Sequence, residues 1–418
     1  MPPSIVTGDE LSFMRRFYTL LLIAVLCLTD TFAQNGTGFN GNGYYRICNL
    51  MTKRYIYVTD NKDYYDKNKD IGDFQAIQLW TDINRAVSDP ASVIYIKEVS
   101  SNQFDLMAQN TSVHALTGYY VGVSKKTDGT YEVSASVSKG GVEVVKTLSD
   151  DEQSASDQGK MGTNSKLKYR RWIVDRIETN HATNYFGVKP TIEMGGMYYQ
   201  PFFAAFPFKA VSSDMSIYSI DRIEGNNAIL KKIEGEVPAK TPVIIECTSN
   251  DPAQNRLELL ASSSATVAKN LLSGIYFCNG KRPAASTDAY TDFDAATMRV
   301  FDVVDGKLVL TDNPSAARLG KREESVKVWD EEEWEYIYTT KTVYCIAANT
   351  SYLKANAQTP TELEVRFDGM GINDVKRKGN EAIEGIYSLS GNQLRKTNDT
   401  EGLPAGLYIV GGRKTIIK

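Results

Sequence analysis

Hydrophobic positions along this chain come in short runs with turn residues between them, and they rarely fall at helical spacing. The stretch "YYRICNLMTKRYIYVTD" (44–60) sets the pattern, with two apolar, aromatic runs flanking a polar Asn-Leu-Met-Thr-Lys-Arg centre, a strand-turn-strand signal. Weaker echoes follow in "VIYIKEVSSNQFDLMAQNTSVHALTGYYVGV" (93–123) and "YRRWIVDRIETNHATNYFGVKP" (169–190). Further on, Gly225-Asn226-Asn227 and Asp305-Gly306 separate pairs of strand-like runs, as tight turns do. No apolar stripe of period 3.6 reaches useful length, and only "ATVAKNLLSGIYF" (265–277) reads as a helical turn or two.

This patterning predicts an all-β protein. Three hairpin-like units between 34 and 192 suggest a β-trefoil-like domain, in which such units close into a short barrel, with the polar piece 136–166 as an insertion. Residues 193–370 read as a β-sandwich-like domain with a weak internal duplication. Each half runs strand, Gly turn, strand, and then Ala239-Lys240-Thr241 or Ala348-Asn349-Thr350 entering another apolar strand. The charged run 319–342 reads as a protruding hairpin or loop. Residues 371–418 form a short β module.

Composition changes the picture at the N-terminus. Arg15 and Arg16, the apolar run Phe17–Leu28 and the small exit at Thr31-Phe32-Ala33 have the layout of a secretory signal peptide cleaved after Ala33. The acidic prefix 1–13 makes Met14 the expected start. The apolar run is too short to serve as a retained anchor, and bulky Leu26 argues against lipidation of Cys27. Removing 1–33 deletes Asp9, Glu10 and Asp30 with Arg15 and Arg16, moving the formal charge from −4 to −3. No basic stripe points to nucleic acid. Cys48, Cys247, Cys278 and Cys345 remain, without a C-x-x-C pair to suggest zinc. They read as buried thiols, with a disulfide among Cys247, Cys278 and Cys345 as the alternative that export permits.

The tail carries the most specific signal. Ile386, Tyr387, Gly391, Leu403, Pro404, Gly406, Tyr408, Gly412, Lys414 and the Ile416-Ile417-Lys418 end resemble the C-terminal sorting domains of type IX secretion cargo of Bacteroidota. The resemblance is confined to 371–418, and the piece between the two strands is shorter than usual. It implies a cell-surface destination and contact with a secretion machinery. "YYRICN", "AIQLW", "YFGVKPTI", "FPFKA" and "VPAKTPVIIE" are similar to segments of secreted proteins of that phylum, which implies compartment and β-rich build but no activity.

Gln78-Leu79-Trp80 matches the Q-x-W signature of ricin-type lectin trefoils, present once where three could occur. That resemblance implies a sugar site made by an upstream carboxylate and an exposed ring, for which Asp60, Asp63, Tyr64, Tyr65 and Trp80 are the candidates. A carboxylate accepts hydrogen bonds from vicinal hydroxyls while a ring face packs on C–H groups. The acidic run 61–73 lacks calcium-loop spacing, so no metal and no cofactor is assigned. His114 and His181 fall in polar excursions, and no nucleophile-elbow, zincin or P-loop signature occurs. The "WDEEEWEYIY" run (329–338) gathers carboxylates and aromatics. As one continuous strand it would put Trp329, Glu331, Glu333 and Glu335 on one side and Asp330, Glu332, Trp334 and Tyr336 on the other; a solvated hairpin fits such crowded charge better. The function expected is a secreted or surface-attached, non-enzymatic binder of a glycan or extracellular polymer. The alternatives are a paired-carboxylate hydrolase of carbohydrate and a protein-interaction or inhibitor module.

Overall fold

The computed structural model of the protein describes residues 36–58, 77–80, 83–110, 121–139, 142–148, 150, 161–162, 167–275, 290–368, 385–387, 393–411 and 413–417. These residues are predominantly β-strands in curled sheets, and the α-helix Ile83–Ala86 is a single turn. Among them no helix is long and apolar enough to cross a membrane.

The first sheet closes on itself. Gly43–Asn49 pairs with Ile94–Ser100 and, along its other edge, with Trp172–Arg176. The path continues from Ile94–Ser100 through Gln103–Ala108, Val121–Lys125 and Tyr131–Lys139, and Tyr131 meets Trp172 to complete the circuit of six strands. Two excursions leave it: Tyr55–Val58 with Ile77–Trp80, and Val142–Leu148 with Met161–Gly162. Every residue of Gly43–Asn49 is buried. Successive side chains of a strand point to opposite faces, so Tyr45 and Ile47 join Ile94, Ile96, Leu106, Val133, Trp172 and Val174 in one core. Tyr44, on the other face, belongs to a second core with Phe186, Phe206 and Phe208.

The three hairpin-like units seen in the sequence therefore do not occupy equivalent places. Strands 94–100 and 172–176 are both neighbours of strand 43–49. Their shared aromatic-apolar character marks a seam around one buried strand. The polar piece 136–166 likewise contributes paired strands to the sheet, at 131–139, 142–148 and 161–162.

The second region is organised about Glu362–Phe367, which pairs in parallel with Asn227–Ile233 and antiparallel with Lys307–Thr311. Outward on one side lie Ser216–Glu224, Val243–Cys247 and Met197–Phe202; outward on the other lie Met298–Val304, Thr350–Lys354 and Leu272–Ile275. Both halves thus run hairpin, then a third strand beside the hairpin's first. Lys240 and Asn349, the centres of Ala-Lys-Thr and Ala-Asn-Thr, both adopt left-handed φ, 59° and 61°. Their N–H groups donate to Ala204 O, just after Met197–Phe202, and to Ile275 O, at the end of Leu272–Ile275. Asp305 (φ 49°) and Gly306 (φ 71°) form the positive-φ turn that a two-residue hairpin favours. Segment 265–275 is not helical: Asn270 uses its side chain to bond Pro242 O and Leu272 N–H, and Leu272–Ile275 enters the sheet. Ser, Thr and Asn compete with helix in this way.

Cys48 and Cys247 are free, buried thiols. Cys345 is also buried and its thiol donates to Val343 O at 3.5 Å, whereas Cys278 lies outside the described residues. The tail forms a small separate sheet of Gln393–Arg395, Ile386–Tyr387, Gly406–Val410 and Arg413–Ile417.

Candidate functional site

Of the five residues singled out in the sequence, Asp60, Asp63, Tyr64 and Tyr65 lie outside the described residues. Trp80 ends the strand Ile77–Trp80, with Tyr55 as its cross-strand partner. Val58 pairs with Ile77 at the opposite end of the ladder, so both ends of segment 59–76 meet there.

The foot of this hairpin is pinned by polar groups. Asn49 Oδ1 accepts the N–H groups of Met51 (2.9 Å) and Thr52 (3.1 Å), and its Nδ2 donates to Tyr169 O at 2.9 Å. This Asx-type turn lets Lys53 take φ 59°. Arg54 forms a buried bidentate ion pair with Asp150, to which Thr52 also donates. The Thr52 hydroxyl thus satisfies a further acceptor site of the buried carboxylate. Behind it, burial pushes the Cys48 thiol up to about 12, despite a hydrogen bond with Tyr55.

Arg46 is buried between the two regions. Its Nε donates to Ser92 Oγ at 3.1 Å, and Nη1 donates to Asn184 Oδ1 at 2.7 Å and Tyr185 O at 2.8 Å. Among the described residues Nη2 has no hydrogen-bond partner. The guanidinium lies 5.9 Å from the Phe186 ring centroid. Desolvation lowers its pKa to about 10, with the negative potential of Tyr55, Asp175, Tyr185 and Asp89 working the other way, so it stays charged at neutral pH. His181 is structural here: its Nδ1 accepts the N–H groups of Thr183 (3.1 Å) and Asn184 (2.7 Å), which sets the Asn184 side chain against Arg46.

A second buried crossing links the regions. Gln109 Nε2 donates to Asn349 Oδ1 at 3.0 Å while Gln109 Oε1 accepts Ala205 N–H at 3.0 Å. Both Gln109 (φ 50°) and Asn349 are in the left-handed region, a strain that this bonding offsets.

The ribbon of Gly320–Asp330 and Glu335–Ala347 carries what the sequence reading set aside as solvated charge. Residues 331–334 form its turn, so 329–338 is a hairpin rather than one strand, as its crowded charge led us to expect, and its faces are set by cross-strand pairing. Trp329 opposes Tyr336 and Lys327 opposes Tyr338, which puts all four on one face. Trp334 is 81% exposed, Tyr338 72%, Tyr336 57% and Trp329 44%. The spacing Trp329, Trp334, Tyr336, Tyr338 around a turn was the available signal, masked by the acidic residues between.

Among the described residues no group of three or more His, Cys, Asp or Glu side chains converges as a metal site would need. No family model, no curated protein and no solved structure matches this chain.

Proposed function

We propose that the chain is a secreted or surface-attached, non-enzymatic binding protein whose ligand is a glycan or extracellular polymer. In this reading residues 34–192 form a β-trefoil, 193–370 a β-sandwich, and 371–418 a sorting module that engages a secretion machinery. The observation that carries it is the closed six-strand circuit with a hairpin, 55–58 and 77–80, projecting from its first strand. A trefoil is a short six-stranded barrel with hairpin caps, and a closed circuit with two hairpin excursions supports that reading. The ladder joins both ends of the segment bearing Asp60, Asp63, Tyr64 and Tyr65 to the strand ending in Trp80. A segment this rich in carboxylates and rings, next in sequence to the strand that ends in Trp80, suits a sugar's hydroxyls and C–H face.

The test is a pull-down of the mature full chain on a panel of insoluble polysaccharides, with Trp80→Ala and Asp60→Ala in parallel. Binding to at least one polymer that falls about tenfold or more in each variant is expected, each lost contact being worth about 1–2 kcal/mol. Undiminished binding in both variants sinks the cap site. Release of reducing sugar from any bound polymer would replace the binding role with hydrolysis by paired carboxylates.

A further inference from the structure

The aromatic face of the 320–347 ribbon has a built-in pattern that breaks off at the tip. Low on the ribbon, Lys321 faces Tyr344 across the strands, with Nζ 5.6 Å from the ring centroid. Nearer the tip, Lys327 Nζ lies 4.3 Å from the Tyr336 ring. Two rings of this face, Tyr344 and Tyr336, are thus covered by its own ammonium groups, the geometry of cation–π attraction. At the tip, Trp329 and Trp334 meet edge to face at 6.4 Å, and neither has a cation over it among the described residues.

The same turn is rich in negative charge. Glu331, Glu332, Glu333 and Glu335 are exposed, and the ion pairs of the described residues all lie elsewhere. Asp330 spends Oδ1 on the turn's own N–H groups, from Glu332 (2.9 Å) and Glu333 (3.2 Å). The turn also holds Trp334 at φ 52°, a left-handed conformation that bulky residues rarely adopt and that glycine or asparagine would accept without strain. A strained, 81% exposed tryptophan is a poor device for folding, and strain of this kind gathers at functional sites.

We propose that the ribbon tip is a docking surface for a cationic, Lys/Arg-rich segment of a partner protein. Guanidinium or ammonium groups of that segment take over Trp329 and Trp334 the place that Lys327 takes over Tyr336, and the glutamates neutralise the remaining charge. The same charge turns away nucleic acid, anionic polysaccharide and anionic lipid. A neutral glycan could engage some of these carboxylates through its hydroxyls but would leave their net negative charge uncompensated. This surface is separate from the 55–80 hairpin and does not rest on the glycan reading.

The experiment measures binding of fluorescent octa-arginine to the full mature chain by anisotropy, at low and at near-physiological salt. Trp334→Ala should weaken binding about three- to fivefold at either salt, the share of one exposed cation–π contact. The triple variant Glu331→Gln, Glu332→Gln, Glu333→Gln should weaken it about tenfold at low salt and less at higher salt, where exposed charges are screened. A control with the same change in net charge, Glu178→Gln, Glu193→Gln and Glu401→Gln, should stay within about twofold, since those exposed carboxylates are off the ribbon. The proposal is overturned if the control loses as much as the tip variant, or if Trp334→Ala binds like the wild type. Either result would reduce the effect to undirected net charge. Competition by neutral maltohexaose would also overturn it, by making the face a sugar platform. Circular dichroism of each variant guards against misfolding, and Trp334→Phe, which keeps a ring, should restore most of the loss.

Discussion

Two groups of aromatic rings in this molecule have nearly the same mutual geometry and opposite surroundings. At the junction of the two regions, Tyr44 meets Tyr95 at 5.0 Å and Phe206 at 5.7 Å, and Phe186 meets Phe206 at 5.5 Å, all edge to face. On the ribbon, Trp329 meets Tyr336 at 5.0 Å and Trp334 at 6.4 Å, again edge to face. Ring–ring contact alone contributes about 0.5–1.5 kcal/mol in either place. What separates them is water. Tyr44, Phe186 and Phe206 are buried together with Val93 and Phe208, whereas the ribbon rings remain largely solvated. Burial makes the first group a source of folding free energy, and its absence leaves the second group's apolar area to be buried by something else.

The largest effect that sharpens this contrast is at Phe206, whose removal opens a cavity where both regions contribute side chains. Phe206→Ala is expected to lower unfolding stability by about 3–5 kcal/mol in urea titrations followed by circular dichroism. A loss below about 1 kcal/mol would mean that the junction is a loose contact between independent bodies. Next comes the polar crossing. Gln109→Ala leaves Ala205 N–H buried without its acceptor and should cost about 1–3 kcal/mol in the same titration. An unchanged midpoint would place that bonding outside the cooperative fold.

The sequence made the second region's duplication legible because it is written in turn chemistry. Asp305-Gly306, Gly225 and the pair Lys240/Asn349 all sit at positive φ, and such positions constrain residue type wherever they occur. The hairpin Tyr44–Val58 was legible too, since its apolar runs alternate with a polar turn; its strands pair at Cys48 and Tyr55. The three-unit repeat was misplaced for a physical reason. Gly43–Asn49 is buried on both faces, and its neighbours inherit the same aromatic-apolar signature without being its equivalents. The buried Arg46 and the Gln109–Asn349 crossing were invisible, because their partners lie far away in sequence and each residue looks locally like solvated surface. The ribbon was half legible. Its charge predicted protrusion, but only cross-strand register reveals that Trp329, Tyr336 and Tyr338 share a face.

The smallest expected effect is the most telling for that face. Trp334→Gly removes a residue held at φ 52° and substitutes the one that accepts this conformation freely. Relief of left-handed strain is worth roughly 1–2 kcal/mol. Against it stand the lost edge-to-face contact with Trp329, about 0.5–1.5 kcal/mol, and the greater chain entropy of glycine, about 0.5–1 kcal/mol. These contributions nearly cancel, so the urea midpoint should move by an amount equivalent to less than about 1 kcal/mol in either direction. A loss of about 2 kcal/mol or more would make Trp334 part of the ribbon's own stability and collapse the distinction between the two aromatic groups. A midpoint that holds or rises, beside the large loss at Phe206, leaves Trp334 with no folding role to explain its exposure. The remaining explanation is contact with another molecule.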